Sequence, residues 1–288
     1  MKKVLLIGGE GFIGNRFNEL TSKDILVDDY YDCMTWDLKN DQNINLDVPR
    51  ETINRVGYQP SVFDTVIYLA AKPNLASVIK HPKDAWKTGT NGLYKAINQY
   101  KDSHFIFISS SMVYGNWTKT SMSEEDNCSP NNIYGQLKLL GEGLVKQFHN
   151  NYTIVRPSAV YGHRDNKSRI TQLFINKIIN NQTITLNGAE NLFDFTYVDD
   201  VVQGLYSICE KGADNKTYNI TRSQAHTLRN FTEMLYDKLG KKPNFIVKSV
   251  PENYPIRGTL NINKAKKELG YNPQFSLSQG LDEVLNKL

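Results

Sequence analysis

A phenol and an ammonium stand four residues apart in Ile133-Tyr134-Gly135-Gln136-Leu137-Lys138. On a helix this spacing sets Tyr134 and Lys138 on one face, one turn apart. A tyrosine hydroxyl titrates near pH ~10 and is a weak base at neutrality. A lysine charge beside it stabilises the phenolate and draws that value toward the working range. Such pairs also occur on ordinary helices, so the neighbouring segments decide. Ser109-Ser110-Ser111-Met112-Val113-Tyr114-Gly115 is a hydroxyl-rich turn, with Ser110 lying 24 residues before Tyr134.

A second constellation is Gly8-Gly9-Glu10-Gly11-Phe12-Ile13-Gly14, which satisfies Gly8/Gly11/Gly14 and Gly9/Gly11/Gly14 spacings together. Glycines here let the backbone turn tightly and approach a pyrophosphate, whose charge a helix N-terminus stabilises. Asp28 stands 20 residues beyond Gly8. Its carboxylate would accept hydrogen bonds from ribose hydroxyls and repel a 2′-phosphate, with Asp29 adding to the repulsion, so the expected cofactor is NAD. Arg16 is read as a helix-surface charge rather than a ligand of a 2′-phosphate.

The elements that must position these groups follow from hydrophobic patterning. Val4–Ile7, Val66–Leu69, Phe105–Ile108 and Thr153–Val155 are short apolar runs, as strands buried on both faces of a parallel sheet require. Ile25-Leu26-Val27 reads as a further strand ending at Asp28. Residues 86–100 and 133–148 read as helices, the second with Ile133, Leu137, Leu140, Leu144 and Phe148 on one stripe, as core or as interface. The alternation predicts an α/β fold, a Rossmann-type doubly wound parallel sheet. Its ligands lie at the carboxyl ends of strands, where Ser109–Gly115 falls. Beyond residue 160 the rhythm loosens. A helix near 173–179, strands at 183–186 and 218–220, a helix 228–239 capped by Thr227, and a short helix stopped by Gly270 are expected. The predicted division is a dinucleotide-binding domain over 1–160, with a return around 195–220, and a smaller α+β substrate-binding domain over 161–288.

Composition excludes several classes. The net charge of +4 is mild and the lysines are dispersed, which argues against a nucleic-acid partner and suits an anionic small ligand. Cys33, Cys128 and Cys209 form no Cys-x-x-Cys pair, and the five histidines have no ligand spacing, so no metal site is expected. The apolar run after Lys2-Lys3 stops at Gly8, too short for a signal sequence, and no stretch reaches membrane-span length. A cytoplasmic protein with no membrane partner is expected.

Over nearly its whole length the chain resembles the extended short-chain dehydrogenase/reductases of the NAD-dependent epimerase/dehydratase family, in particular its nucleotide-sugar 4-epimerases. The matching segments are the Gly8–Gly14 loop, Leu69-Ala70-Ala71, Ser109–Gly115, Tyr134/Lys138, Arg156–Gly162, Asp194–Asp200 and Gly270–Pro273. The resemblance implies Tyr134 as catalytic acid/base and Ser110 as its hydrogen-bonding partner. Lys138 would bind nicotinamide ribose while lowering the tyrosine pKa. It assigns Gly8, Gly11, Phe12, Ile13, Gly14, Asp28, Asp47, Val48, Leu69, Ala70 and Ala71 to NAD. Ser111, Met112, Tyr134 and Arg257 are assigned to a nucleotide-diphosphate sugar, with Arg257 on its phosphates. A homodimer is implied.

Departures from the family pattern narrow the reaction. Ser111 and Met112 stand where dehydratases carry carboxylates, which argues against loss of water. Phe193 replaces a phosphate-binding arginine, Ala159 and Gly89 replace asparagines, and Pro73, beside Lys72, replaces a cofactor lysine. The expected reaction is 4-epimerisation by transient oxidation at carbon 4. The alternatives are a 4-reductase or dehydrogenase that releases its cofactor, and a non-catalytic dinucleotide-binding regulator.

Overall fold

The computed structural model describes residues 3–21, 32–36, 63–212, 214–252 and 254–288. The strand expected at Ile25–Val27, and Asp28, Asp29, Asp47 and Val48, lie outside the described residues. Six strands, β1 (Lys3–Ile7), β2 (Asp32–Trp36), β3 (Thr65–Tyr68), β4 (His104–Ile108), β5 (Tyr152–Pro157) and β6 (Lys216–Ile220), form one sheet. All pairings are parallel, and the order is β6-β5-β4-β3-β1-β2.

Alternate residues of a strand face opposite sides of its sheet. Val4, Leu6, Ile67 and Ile106 enter one core, and Leu5, Ile7, Val66, Tyr68 and Phe105 enter the other. With a core on each face, neither set can be polar, which is why these strands read as continuous apolar runs. On the first face lie α1 (Phe12–Thr21) and, later in the chain, a helix over Val198–Lys211; Phe17 and Leu205 from these two join that core. On the second lie a helix over Leu93–Gln99 and α2 (Ile133–Phe148), through Leu93, Ile97 and Val145. β1 has β2 on one side and β3 on the other, so the chain reverses its winding between β1 and β3. A crevice opens at such a switch point, beyond the carboxyl ends of the strands.

The helix expected over 86–100 forms and begins earlier: Pro82–Trp86 runs through a π-helical turn, Lys87–Gly92, into Leu93–Gln99, with helical dihedrals at each junction. Gly89 and Gly92 weaken the α-helix. The Thr88 and Thr90 hydroxyls donate to the carbonyls of Asp84 and Trp86 at 2.8 and 2.6 Å, a back-bonding that opens the turn. The apolar stripe of α2, read as core or as interface, is divided, with Leu144 packed against the second core. Ile133, Leu140 and Phe148 are exposed, while Gly135, Lys138, Gly141, Glu142 and Val145 are buried. A Cβ on residue 141 would lie 2.6 Å from the Phe107 ring, so glycine lets α2 approach the sheet more closely than a leucine face could.

Outside the main sheet the chain forms short strand pairs. Val160–Tyr161 pairs in parallel with Thr196–Tyr197, and Leu192–Asp194 runs antiparallel to Ala225–Thr227. Ser121–Met122 pairs in parallel with Thr259–Leu260. Buried carboxylates tie these pieces together. Asp200 accepts the N–H groups of Gln274 and Phe275 at 2.6 and 3.1 Å. Asp194 accepts from the Thr221 hydroxyl and the Leu260 N–H, each at 3.0 Å. Burial pushes both carboxyls up to about 6. Among the described residues no helix is long and apolar enough to cross a membrane.

Candidate active site

The glycine loop leaves β1 at the switch point. Gly8 has φ +85°, and a Cβ there would lie 2.8 Å from the Ala70 backbone nitrogen. Glycine at this position therefore brings the first loop against Leu69-Ala70-Ala71, the segment leaving β3. Gly14 fits for the same reason, since its Cβ would lie 2.6 Å from Gly9 Cα. The first turn of α1 carries no acidic side chain, so its N–H groups face no carboxylate of their own helix. Backbone this closely apposed, opening a helix of ten residues, fits a pyrophosphate.

At the carboxyl end of β4, Ser110 caps a short 3₁₀ turn, Ser111–Tyr114, accepting the Met112 N–H at 3.2 Å. Asn132 caps α2 by accepting the Gly135 N–H at 3.0 Å. A Cβ on residue 135 would lie 2.5 Å from the Met112 carbonyl oxygen. Gly135 thus allows the start of α2 to press against the serine turn, which brings Tyr134 beside the Ser110 hydroxyl. One helical turn on, Lys138 Nζ donates to the Ile108 carbonyl at 2.7 Å. Ala70, Ala71, Lys72, Phe107, Tyr134 and Lys138 line one cleft.

The electrostatics differ from the sequence expectation. Burial raises the Tyr134 pKa above the ordinary tyrosine value, and the Arg169 charge and the Ser110 hydroxyl only partly oppose this. The Lys138 ammonium is directed at the end of β4, and burial lowers it to about 8, with Glu142 opposing.

Two charged groups near the pair were not singled out by sequence reasoning. Arg169 donates to the Val160 carbonyl at 2.7 Å, and its guanidinium lies 6.0 Å from the Phe12 ring centroid. It links the glycine loop to the vicinity of Tyr134 from 35 residues away, a proximity with no local signal. Glu142 follows Lys138 at i+4 on the buried face, and that spacing was readable. It accepts from Ser109 Oγ at 2.6 Å and from Arg156 Nε and Nη2 at 2.9 and 2.7 Å. Arg156 also donates to the Tyr114 hydroxyl at 3.0 Å, which donates to Asn219 at 2.8 Å. The network ties β4, the serine turn, α2, β5 and β6 together beneath the cleft.

Arg257 lies on the segment that follows the serine turn in space. Trp117 N–H donates to the Ile256 carbonyl, and Ile256 N–H donates to Asn116, both at 2.9 Å. Its guanidinium is buried, with the Phe193 ring centroid 4.1 Å away. Arg16 forms a bidentate pair with Asp199 at 2.6 and 2.7 Å. A cavity of about 280 Å³ beside it, reaching His163, Arg164 and Lys287, has its arginines paired with Asp199 and Glu19 and lies outside the Tyr134 cleft.

Residues 4–221 match the family described as NAD dependent epimerase/dehydratase family. A putative UDP-glucose 4-epimerase of Methanocaldococcus jannaschii is 26% identical, covering 98% of this chain and 97% of the relative. The crystal structure of UDP-glucuronic acid 4-epimerase from Bacillus cereus, in complex with UDP-glucuronic acid and NAD, superposes with a TM-score of 0.84 at 25% identity, covering 99% of this chain and 98% of that one. DesIV, a dTDP-glucose 4,6-dehydratase from Streptomyces venezuelae, shares the fold with a TM-score of 0.85 at 21% identity, over 99% of this chain and 96% of that one.

Proposed function

This chain belongs to the NAD dependent epimerase/dehydratase family, and from that premise we propose that it is a nucleotide-sugar 4-epimerase retaining NAD through the cycle. The observation that carries the reading is the meeting of Tyr134 with Ser110 at the carboxyl end of β4, in a cleft shared with Ala70, Ala71 and Lys138. NAD, when bound, would supply the hydride acceptor and donor for carbon 4 of the sugar. Gly8, Gly11, Phe12, Ile13 and Gly14 would hold its pyrophosphate, with Leu69, Ala70 and Ala71 as the facing wall. Lys138 would hold the nicotinamide ribose.

Tyr134 removes the proton of the 4-hydroxyl and later gives it back, while Ser110 shares the hydrogen bond to that oxygen. The Arg169 charge favours the phenolate that this step creates. Arg257 takes the diphosphate. Loss of water would need an acid and a base at the serine turn, and residues 110–112 supply two hydroxyls and a thioether. Residues 1–160, with the return around 195–220, make the cofactor-binding domain, and the rest of 161–288 the substrate-binding one. The exposed Ile133, Leu140 and Phe148 of α2 form a homodimer face.

UDP-glucose and UDP-glucuronic acid are the first substrates to test, without added cofactor and with inversion at carbon 4 followed by NMR. Inversion should appear, and Tyr134→Phe should slow it about 10³-fold with bound NAD retained. Stoichiometric reduction of added NAD, with the sugar left as its 4-keto form and no inversion, would instead make the protein a dehydrogenase.

A further inference from the structure

Arg257 is an unusual arginine. It is only 9% exposed, and its Nε–H finds no acceptor among the described residues. An isolated buried cation is costly, and it persists where a fixed partner or an incoming anion compensates it. The fixed partner here is the Phe193 ring, 4.1 Å from the guanidinium carbon. That ring ends a column of aromatics. Phe193 stacks on Phe195 at 5.5 Å and 22°, and Phe195 stacks on Phe231 at 4.3 Å and 12°. Phe195 and Phe231 are fully buried, so the column is anchored in the core.

The residues flanking Phe193 hold the arm that carries the arginine. Asn191 accepts the Arg257 N–H at 3.4 Å and donates to the Pro255 carbonyl at 3.2 Å. Asp194 accepts the Leu260 N–H at 3.0 Å. One short segment therefore supplies both the platform and the clamp. A planar guanidinium held by its face keeps its edge N–H groups free for a bidentate anion.

We infer that Phe193 is a positioning residue for the diphosphate of the nucleotide sugar, holding the Arg257 guanidinium by its face and presenting the N–H edge to the phosphates. The inference rests on the proposed nucleotide-sugar reading. Burial, which brings the Arg257 pKa down to about 10, marks a charge that an arriving anion would relieve.

The test is calorimetric titration of the purified protein with UDP, dTDP and inorganic pyrophosphate, alongside thermal unfolding. Phe193→Leu should weaken UDP binding about 10-fold and Phe193→Tyr less than about 2-fold. Phe193→Met serves the same comparison if the leucine variant is insoluble. In catalysis the loss should fall on KM with kcat little changed. The double variant Phe193→Leu/Arg257→Leu should bind no more weakly than Arg257→Leu alone, because Phe193 acts through the arginine. Equal affinity of Phe193→Leu and wild type, a tyrosine variant as weak as the leucine one, or additive losses would each overturn the inference while leaving the nucleotide-sugar reading standing. Failure of the wild type to bind any of the three probes would overturn that reading, and this inference with it.

Discussion

Arg156 and Arg257 are both buried, at 3% and 9% exposure, and both sit beside the candidate site. Arg156 is bonded to both oxygens of Glu142, and Glu142 also takes the Ser109 hydroxyl. Arg257 has an aromatic face and no carboxylate contact among the described residues. The first arginine is neutralised within the fold and holds elements in place. The second is left with charge to spend on something that arrives. Burial alone therefore does not separate structural from ligand-binding charges; the identity of the neighbour does.

The largest expected effect comes from breaking the compensated end. Glu142→Ala leaves Arg156 as an uncompensated buried charge and should cost about 3–5 kcal/mol in denaturant unfolding. A loss below about 1 kcal/mol would remove the contrast between the two arginines.

The pH dependence of Lys138 comes next. Its folded pKa of about 8 lies below the ordinary 10.5. Between those values the unfolded chain holds a proton that the folded chain has released, so stability should rise with pH through that window. Relative to Lys138→Met, the wild type should gain roughly 2–3 kcal/mol from pH 8 toward 10.5. A difference that is flat with pH would mean Lys138 stays charged in the fold.

Gly135→Ala tests how the proton-handling end is assembled. A Cβ 2.5 Å from the Met112 carbonyl oxygen must push α2 from the serine turn. A stability loss of about 1–3 kcal/mol is expected. Turnover should fall further than stability predicts, because Tyr134 moves away from Ser110. Arg257→Leu probes the other end, and the sign should reverse. Removing an uncompensated buried charge should leave unfolding unchanged or raise stability by about 1 kcal/mol, while diphosphate affinity is lost.

The smallest effect lies between the two ends, at Ala159. Its φ of +37° is strained for a residue with a Cβ. Ala159→Gly should raise the melting temperature slightly, by the equivalent of about 0.5 kcal/mol. A drop would show that the Ala159 side chain, which packs on the core, matters more than the backbone strain.

Much of the sheet was legible because both its faces are buried. Val4–Ile7 and Phe105–Ile108 had to be apolar throughout, and a run of that kind is visible without a partner. The α2 stripe stayed ambiguous for the complementary reason. Ile133, Leu140 and Phe148 have the spacing of a core face, yet the face that packs on Phe107 is built from Gly141 and the side chains flanking it. Periodicity reports that a helix has an apolar side, not whether the sheet needs that side or a closer approach. The π-helical turn at Lys87–Gly92 was hidden because threonine back-bonding depends on local geometry rather than on composition.

By itself, the sequence determined the local pieces of this protein: the glycine loop after β1, the hydroxyl turn after β4, and Tyr134 one helical turn from Lys138. Each is set by neighbours within a few positions, where spacing is geometry. Tertiary structure alone decided which groups share an environment. It placed Arg169 near Tyr134, gave Arg156 to Glu142 and Arg257 to Phe193, and turned Lys138 toward the Ile108 carbonyl. Electrostatic interactions fall with distance in space and are deepened by burial. Neither quantity is written along the chain until the sheet brings its strand ends together.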